Sequence, residues 1–168
     1  MYDFLRSLIK EDEKPKGTYV GVRLAGKSKS KIRKVAKEIG VPNMLPNAQM
    51  HITVIFSRKH LPDYKPLGKL EEQIDAEVDK LHIFQKPEPD SPRVLVLLVK
   101  SPELSKRHET IMKEHGATYD FDEYIPHITL SYDCGDYDET EHDVKDYFDD
   151  PLKISEEYEE ELKLDGYE

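Results

Sequence analysis

The chain has 168 residues, 36% of them charged and 37% hydrophobic, and this length suits one compact domain. Its 35 acidic and 25 basic residues give a formal net charge of −10. Because binding along a nucleic-acid backbone needs a basic face, this balance excludes a long polynucleotide as the expected partner. The longest apolar run, at 94–99, is far shorter than the roughly 20 residues that a membrane helix needs.

The same features indicate a cytoplasmic protein that does not bind membranes. Residues 1–14 contain acidic side chains where a signal peptide has an apolar centre. Cys134 is the only cysteine, so it forms no internal disulfide and has no CxxC partner for zinc or redox chemistry. A reducing compartment fits this cysteine usage best. We take a monomer as the expected state.

In chain order, the first half predicts a short helix followed by strand, helix, strand and strand. Residues 1–16 form an amphipathic helical appendage, and apolar residues then alternate along 18–25 as in a half-buried strand. The later strands of this half lie at 51–57 and 73–84, separated by a loop at 61–68. The apolar phase of the last strand changes near Lys80, which predicts a β-bulge there.

The second half repeats this order, with strands at 92–99, 127–133 and 152–164. The Glu and Leu content of 152–164 also suits a helix. The repeat predicts an α+β fold in which two strand-helix-strand-strand lobes are related by a pseudo-twofold axis. We expect one bilobal domain at 17–168, with lobes at about 17–88 and 91–168. Such a duplication is expected to place equivalent strands face to face across a central groove.

Both helices carry start and stop signals. Ser28 or Ser30 is positioned to cap the first helix, and Gly40 lies where a left-handed residue ends it. Ser101 is positioned to cap the second helix, which stops at Gly116.

The tripeptide His-Ile-Thr opens the equivalent strand in each half, at 51–53 and at 127–129. Residues i and i+2 of a strand share a face, so each His lies beside its own Thr while the Ile between them faces the core. Alternation continues the two core faces along each strand, through Ile52, Val54, Phe56, Ile128, Leu130 and Tyr132. The polar pairs are therefore expected to converge on the groove.

Two imidazoles and two hydroxyls suit phosphodiester chemistry. A neutral His takes a proton from an attacking hydroxyl while a protonated His gives one to the leaving oxygen, since an ordinary pKa of about 6.5 allows both forms near neutrality. The Thr hydroxyls donate hydrogen bonds to phosphate oxygens as charge builds up in the transition state. This chemistry needs no metal ion.

Two other interpretations compete with catalysis. A single His-x-Thr at the start of a strand is commonplace and carries little information, but a polar pair repeated at matching positions of a duplication has no evident structural purpose. Two His are also two metal ligands. However, no HxH, HxxxH or carboxylate spacing accompanies either motif, which disfavours a metal site.

The paired motifs, 76 positions apart, resemble those of the 2H phosphoesterase superfamily, which includes RNA 2′,5′-ligase-like proteins and cyclic phosphodiesterases. The segments GTYVGV at 17–22, IGVPN at 39–43 and YIPHITLSYD at 124–133 are most similar to the phage anti-CBASS phosphodiesterases, which destroy the cyclic oligonucleotide signals of bacterial antiviral defence. The resemblance implies a fold whose antiparallel sheets line the groove, and a cofactor-free, metal-independent hydrolase of cyclic di- and trinucleotides such as 3′,3′-cyclic GMP-AMP. It implies phage immune evasion in the host cytosol.

The resemblance also assigns catalytic roles to His51 and His127 and phosphate-binding roles to Thr53 and Thr129. In the implied mechanism, a ribose 2′-hydroxyl attacks the adjacent 3′-5′ phosphodiester. Which His is the base remains open. An RNA-processing phosphoesterase acting on 2′,3′-cyclic or 2′-5′ linked ends, and a non-catalytic nucleotide-binding module, are the alternatives.

Three further residues are candidates for substrate binding. Tyr19 faces the groove if its neighbours pack inward, and it resembles the family's base-stacking Tyr; covering the sheet is the other interpretation. Arg23 shares that face and is positioned for a phosphate contact or for solvent. Tyr124 is a weaker candidate for base stacking, with loop packing as the alternative. We interpret the histidines outside the motifs as surface or packing residues: His60, His82, His108, His115 and His142.

The charges are unevenly distributed. No acidic residue lies between Arg23 and Lys37, and the strand end of this segment is placed to attract an anion, although a solvated helix face explains much of it. From Asp133 onward acidic residues dominate and predict a solvated surface. Within that segment, one of the residues at 156–158 is a candidate to reach over the groove.

Overall fold

The computed structural model describes residues 16–164. The predicted helical appendage at 1–16 lies outside these residues except for Lys16, which begins the first strand. Six strands and two α-helices follow in the predicted order. In chain order they are β1 Lys16–Leu24, α1 Gly26–Glu38, β2 His51–Ser57, β3 Gly68–Phe84, β4 Val94–Lys100, α2 Pro102–His115, β5 His127–Ser131 and β6 Leu152–Lys163. Short 3₁₀ turns lie at Asn47–Gln49 and Val144–Tyr147.

All the strand pairs are antiparallel, and they close into a ring in the order β1-β2-β5-β4-β3-β6. The α+β prediction is confirmed, and the segment from Leu152 is a strand rather than a helix. Each half of the chain contributes its third strand to the other half: β3 pairs with β4, and β6 pairs with β1. The sheets therefore combine strands from both halves of the chain.

The equivalent strands β2 and β5 lie side by side rather than face to face as expected. Ile52 pairs with Ile128, and both are fully buried. This pair is the contact through which the pseudo-twofold axis passes, because it joins the middle residues of the two His-Ile-Thr motifs. The polar residues of the two motifs lie on the face opposite the buried core, which we call the groove side.

The helix ends follow three of the predicted signals and contradict one. Gly40 and Gly116 adopt positive φ angles of 77° and 63°, and the Ser101 hydroxyl accepts a hydrogen bond from the Leu104 amide. The predicted cap of the first helix is wrong, because α1 starts after Ala25 without a side-chain cap. The Ser28 hydroxyl instead accepts a hydrogen bond of 2.8 Å from the Lys153 amide and ties α1 to β6.

Register shifts decide which side chains face the groove. The predicted bulge in β3 is confirmed, since the register changes between Val78 and Lys80. A second shift, between Val20 and Gly21 of β1, changes the phase of β2. As a result Ile55 is fully buried and Phe56 is only partly buried. Tyr132 follows the end of β5 and is 56% exposed, so the predicted core positions of Phe56 and Tyr132 are wrong.

Neither described helix is long and apolar enough to cross a membrane.

Candidate active site

The structure brings together the four motif residues at the junction of β2 and β5. The antiparallel register set by the Ile52–Ile128 pair places His51 opposite Thr129, and Thr53 opposite His127. All four side chains are half-buried on the groove side, with the paired isoleucines on the core side. Each imidazole therefore lies next to the hydroxyl of the other motif as well as its own.

Both imidazoles are held in the same way. His51 Nδ1 is 2.8 Å from the Gln49 carbonyl oxygen, and His127 Nδ1 is 2.9 Å from the Ile125 carbonyl oxygen. Because a carbonyl oxygen only accepts, Nδ1 must carry the proton in each ring. Nε2 is then the nitrogen available to the groove, as an acceptor when the ring is neutral and as a donor when it is charged.

The groove has two walls around this junction. We call the groove side of β6, β1 and β2 the first wall, and the groove side of β3, β4 and β5 the second wall. Cross-strand pairs define their members, because directly opposite residues share a face. On the first wall Arg23 pairs with both His51 and Glu156, and on the second wall Leu98 pairs with both His127 and Lys80.

On the second wall, burial lowers the pKa of His127. The Phe84 ring packs edge-on against the imidazole with the ring centres 5.4 Å apart. Desolvation is the main cause of the lowered pKa, and the nearby His51 and His82 imidazoles act in the same direction, while the hydrogen bond to Ile125 opposes it. His127 is thus biased towards its neutral form.

On the first wall, Tyr19 lies against His51 and Thr53, on the side predicted for a groove-facing residue. Its hydroxyl is 2.9 Å from Thr53 Oγ1, and its ring meets His51 edge-on at 6.0 Å. Burial raises the pKa of the Tyr19 hydroxyl, which therefore stays protonated near neutral pH. A Tyr19 hydroxyl that donates to Thr53 leaves the threonine proton free for a ligand oxygen.

Arg23 also lies beside His51, but its guanidinium is already engaged. Its Nε is 3.4 Å from Glu156 Oε1, and its Cζ lies 4.2 Å from the centre of the Tyr158 ring. The Tyr158 ring in turn packs over Gly21, where a Cβ atom would come within 2.7 Å of the Tyr158 hydroxyl. Gly21 is therefore the position that lets the Tyr19 and Tyr158 rings close over β1.

Tyr124 supports the site from behind. Its hydroxyl donates a hydrogen bond of 2.7 Å to the Thr53 carbonyl oxygen, and its ring stacks on the His108 imidazole at 4.4 Å. His108 is itself buried, with Nδ1 2.7 Å from the Val54 carbonyl oxygen. Through these contacts Tyr124 holds β2 in position. This is the loop-packing alternative for Tyr124 rather than base stacking.

Reasoning from the sequence missed one groove residue and misassigned two. Phe84, which was missed, is on the second wall with His82, which was interpreted as a surface or packing residue; their rings meet at 4.8 Å. Of the candidates at 156–158, Tyr158 is on the first wall. Glu157, a candidate to reach over the groove, is 2% exposed and points to the core side, where it pairs with Arg107. Alternation along β3 and β6 identifies the groove-facing residues of these strands, but only after their partner strands are known.

Within residues 16–164, no group of three or more His, Cys, Asp or Glu side chains is arranged to hold a metal ion.

The chain is similar to known proteins over nearly all of its length. The family model described as anti-CBASS protein Acb1 matches residues 16–168. The Acb1 protein of Acinetobacter phage Ac42 is 35% identical over 149 residues, covering 89% of this chain and 93% of that protein. The Acb1 protein of Enterobacteria phage T4 is 32% identical over 149 residues, covering 89% of this chain and 90% of that protein.

The fold also has a solved counterpart. The crystal structure of E. coli LigT complexed with phosphate superposes with a TM-score of 0.51 at 14% sequence identity, covering 88% of this chain and 87% of that one. At this identity the likeness establishes the fold, which is that of the 2H phosphoesterases. Together with the paired His-x-Thr motifs and the match over residues 16–168, it shows that the chain belongs to the anti-CBASS protein Acb1 family.

Proposed function

We propose that this protein is a metal-independent phosphodiesterase that hydrolyses the 3′-5′ bonds of cyclic di- and trinucleotide signals such as 3′,3′-cyclic GMP-AMP, and so counteracts CBASS defence. The observation that carries the proposal is the crossed arrangement of the motifs. Each of His51 and His127 has Nδ1 anchored on a carbonyl oxygen and Nε2 available to the groove, next to Thr53 and Thr129. Membership of the anti-CBASS family supports the same substrate class.

In the proposed reaction one neutral His removes the proton of a ribose 2′-hydroxyl. The 2′ oxygen attacks the adjacent phosphorus, and the bond from phosphorus to the 5′ oxygen breaks as the other His, protonated, donates its proton to that oxygen. The product carries a 2′,3′-cyclic phosphate. Water then opens this ring with the two histidines in exchanged roles, which returns both to their starting states.

The two threonines supply the electrostatic part of catalysis. Thr53 and Thr129 stand across from the opposite histidines and donate to the non-bridging oxygens, where negative charge grows in the transition state. The hydrogen bond between Tyr19 and Thr53 supports this role by fixing one hydroxyl before substrate arrives. In this proposal the two imidazoles transfer the protons and the threonine hydroxyls stabilise the charge on the phosphate oxygens, so no step needs a metal ion.

Three further residues have binding roles in this proposal. Tyr19 presents an aromatic ring to a base, Arg23 presents a guanidinium to phosphate, and Tyr124 acts through the backbone of Thr53. Because Arg23 is already paired with Glu156, a bound phosphate must compete with that carboxylate. We assign the activity to a monomer in the host cytosol.

Incubation with 3′,3′-cyclic GMP-AMP, followed by chromatography, tests the proposal. We expect conversion to linear products that is unchanged by EDTA. The 2′-deoxy analogue should stay intact, because it lacks the attacking oxygen. A strict divalent-metal requirement, or normal cleavage of the deoxy analogue, would contradict the mechanism. Retention of intact ligand indicates a binding module, and cleavage restricted to 2′,3′-cyclic or 2′-5′ linked RNA ends indicates RNA processing.

A further inference from the structure

The cationic groups of the groove are divided unequally between its walls. On the first wall the guanidinium of Arg23 is neutralised by Glu156 and stacked on Tyr158. On the second wall Lys80 and His82 are exposed, and among residues 16–164 neither forms an ion pair or a hydrogen bond. A charged or chargeable pair that faces a ligand groove without a protein partner is available to an anion.

The orientation of this pair follows from the strand register. Lys80 is opposite Leu98, which is opposite His127, and His82 is opposite Val96, which is opposite Thr129. The two residues therefore stand on the same face as the catalytic pair, two strands away. At an interstrand spacing of about 4.8 Å, their Cα atoms lie roughly 10 Å from those of β5.

The side chains themselves extend back towards the catalytic residues. The His82 imidazole packs on the Phe84 ring at 4.8 Å, and that ring reaches His127 at 5.4 Å. The electrostatic influence of His82 on His127 agrees with this proximity. The Phe84 ring therefore contacts both imidazoles, and His82 stands on the same wall as His127 but two strands away.

We propose that Lys80 and His82 form a subsite for the second phosphodiester of a cyclic oligonucleotide, the one that is not cut in a given turn of the reaction. This inference rests on the proposed function, because it presupposes a ligand with more than one phosphodiester. The small ring of a cyclic dinucleotide keeps its second phosphate near the first. The lysine donates to that phosphate as a point charge, and the imidazole adds a directional hydrogen bond.

The test compares ligands that differ in their number of phosphodiesters. The cyclic 2′-deoxy dinucleotide has two and the linear deoxydinucleoside monophosphate has one, and neither has the attacking hydroxyl. Binding of both is measured by calorimetry to the wild-type protein and to the double variant Lys80→Gln, His82→Gln. The control is Lys113→Gln, which removes one lysine charge on the exposed side of α2, away from the groove.

We expect the double variant to bind the cyclic ligand about ten- to a hundredfold more weakly and the linear ligand as wild type does. Lys80→Arg, which keeps the charge, should bind both ligands normally. Equal weakening of both ligands, or no weakening, would overturn the subsite. If the wild-type protein does not bind the cyclic deoxy ligand but hydrolyses 3′,3′-cyclic GMP-AMP, the subsite is wrong and the proposed function stands. If the wild-type protein neither binds nor hydrolyses cyclic dinucleotides, the proposed function itself fails.

Discussion

On the first wall of the groove, His51 lies beside Arg23 and the edge of Tyr19, with Glu156 and Tyr158 completing a polar, aromatic surface. On the second wall, the equivalent His127 lies beside Leu98 and the edge of Phe84. The duplication has kept both motif histidines, including the carbonyl contact of each Nδ1, and has changed what surrounds them. On the second wall, burial lowers the pKa of His127, which favours the neutral ring that the proposed reaction needs in one of its two histidines.

The walls also differ in what stands behind them. Glu157 of β6 is buried behind the first wall, where Arg107 of α2 donates to both of its oxygens and Tyr64 donates a further hydrogen bond. This cluster fixes the strand that carries Glu156 and Tyr158. The first wall is thus tied to a buried ion pair, while the second is backed by the apolar core residues Leu81, Leu95 and Leu97.

We expect the largest effect on kcat from the feature that both walls share, the motif histidine. His51→Ala and His127→Ala each remove one proton-transfer group, so kcat for 3′,3′-cyclic GMP-AMP should fall by about 10²–10⁴-fold in either variant. The matched control is His142→Ala, because that imidazole contacts Tyr147 outside the groove. A variant of either motif histidine that keeps wild-type kcat would contradict the symmetric use of the two residues.

The buried ion pair gives the next largest effect, on stability. Glu157→Gln leaves the Arg107 guanidinium without its carboxylate in a largely buried place, and we expect a loss of about 3 kcal/mol in the free energy of unfolding. Urea denaturation followed by circular dichroism measures it. The exposed pair of Lys16 and Glu161 provides the control, since Glu161→Gln should cost less than about 1 kcal/mol.

A double variant, Arg107→Met with Glu157→Leu, removes both charges. It should recover most of the stability lost in Glu157→Gln, because neither charge is then left unpaired. Equal stability of Glu157→Gln and wild type would show that the first wall does not depend on this cluster.

The two threonines differ in their partners, because Thr53 on the first wall is hydrogen-bonded to the Tyr19 hydroxyl. Thr129→Val and Thr53→Val each remove a hydroxyl donor, and each should lower kcat by about tenfold or more. Tyr19→Phe removes the 2.9 Å partner of Thr53 and the contact of the same hydroxyl with Tyr158. Both contacts are on the first wall and leave the Thr53 hydroxyl in place, so we expect a smaller loss of kcat. In Tyr19→Phe, Thr53→Val the two effects should not add, and additive losses measured in this double-mutant cycle would contradict the coupling.

The parts of this site that follow from local patterns were accessible from the sequence. Alternation placed His51 and Thr53 on one face of β2, and the repeat at His127 linked two distant segments. The bulge near Lys80 was visible as a change of apolar phase. The helix ends at Gly40 and Gly116 were also predictable, because glycine readily adopts the left-handed conformation that ends a helix.

Other parts depend on pairing between distant segments, which local patterns do not encode. Tyr158 reaches the groove because β6 pairs with β1, and Phe84 does so because β3 pairs with β4. Phe56 was misplaced because Val54 has no partner on β1, so the alternation of β2 changes phase at that residue, and only the pairing with β1 reveals this bulge. Such non-local register is set by packing of the whole ring of strands.

The smallest predicted effect concerns the pH dependence of His127. Burial lowers its pKa, and Phe84 is the ring in contact with the imidazole. Phe84→Ala admits water to that side, so the charged form becomes less unfavourable and the pKa should rise towards about 6.5. Titration of the His127 ring protons by NMR measures the shift, with His142, which lies outside the groove, as an internal control in the same spectra.

A rise in the pKa of His127 makes more of it protonated at a given pH. If the neutral ring of His127 is the base for the first step, the acidic limb of the kcat/KM profile moves to higher pH in Phe84→Ala by the amount seen in the NMR titration. If His127 is the acid, the alkaline limb moves instead. An unchanged His127 titration would show that Phe84 does not desolvate the ring, and the contrast between the walls would then rest on the charges of His51 and His82 alone.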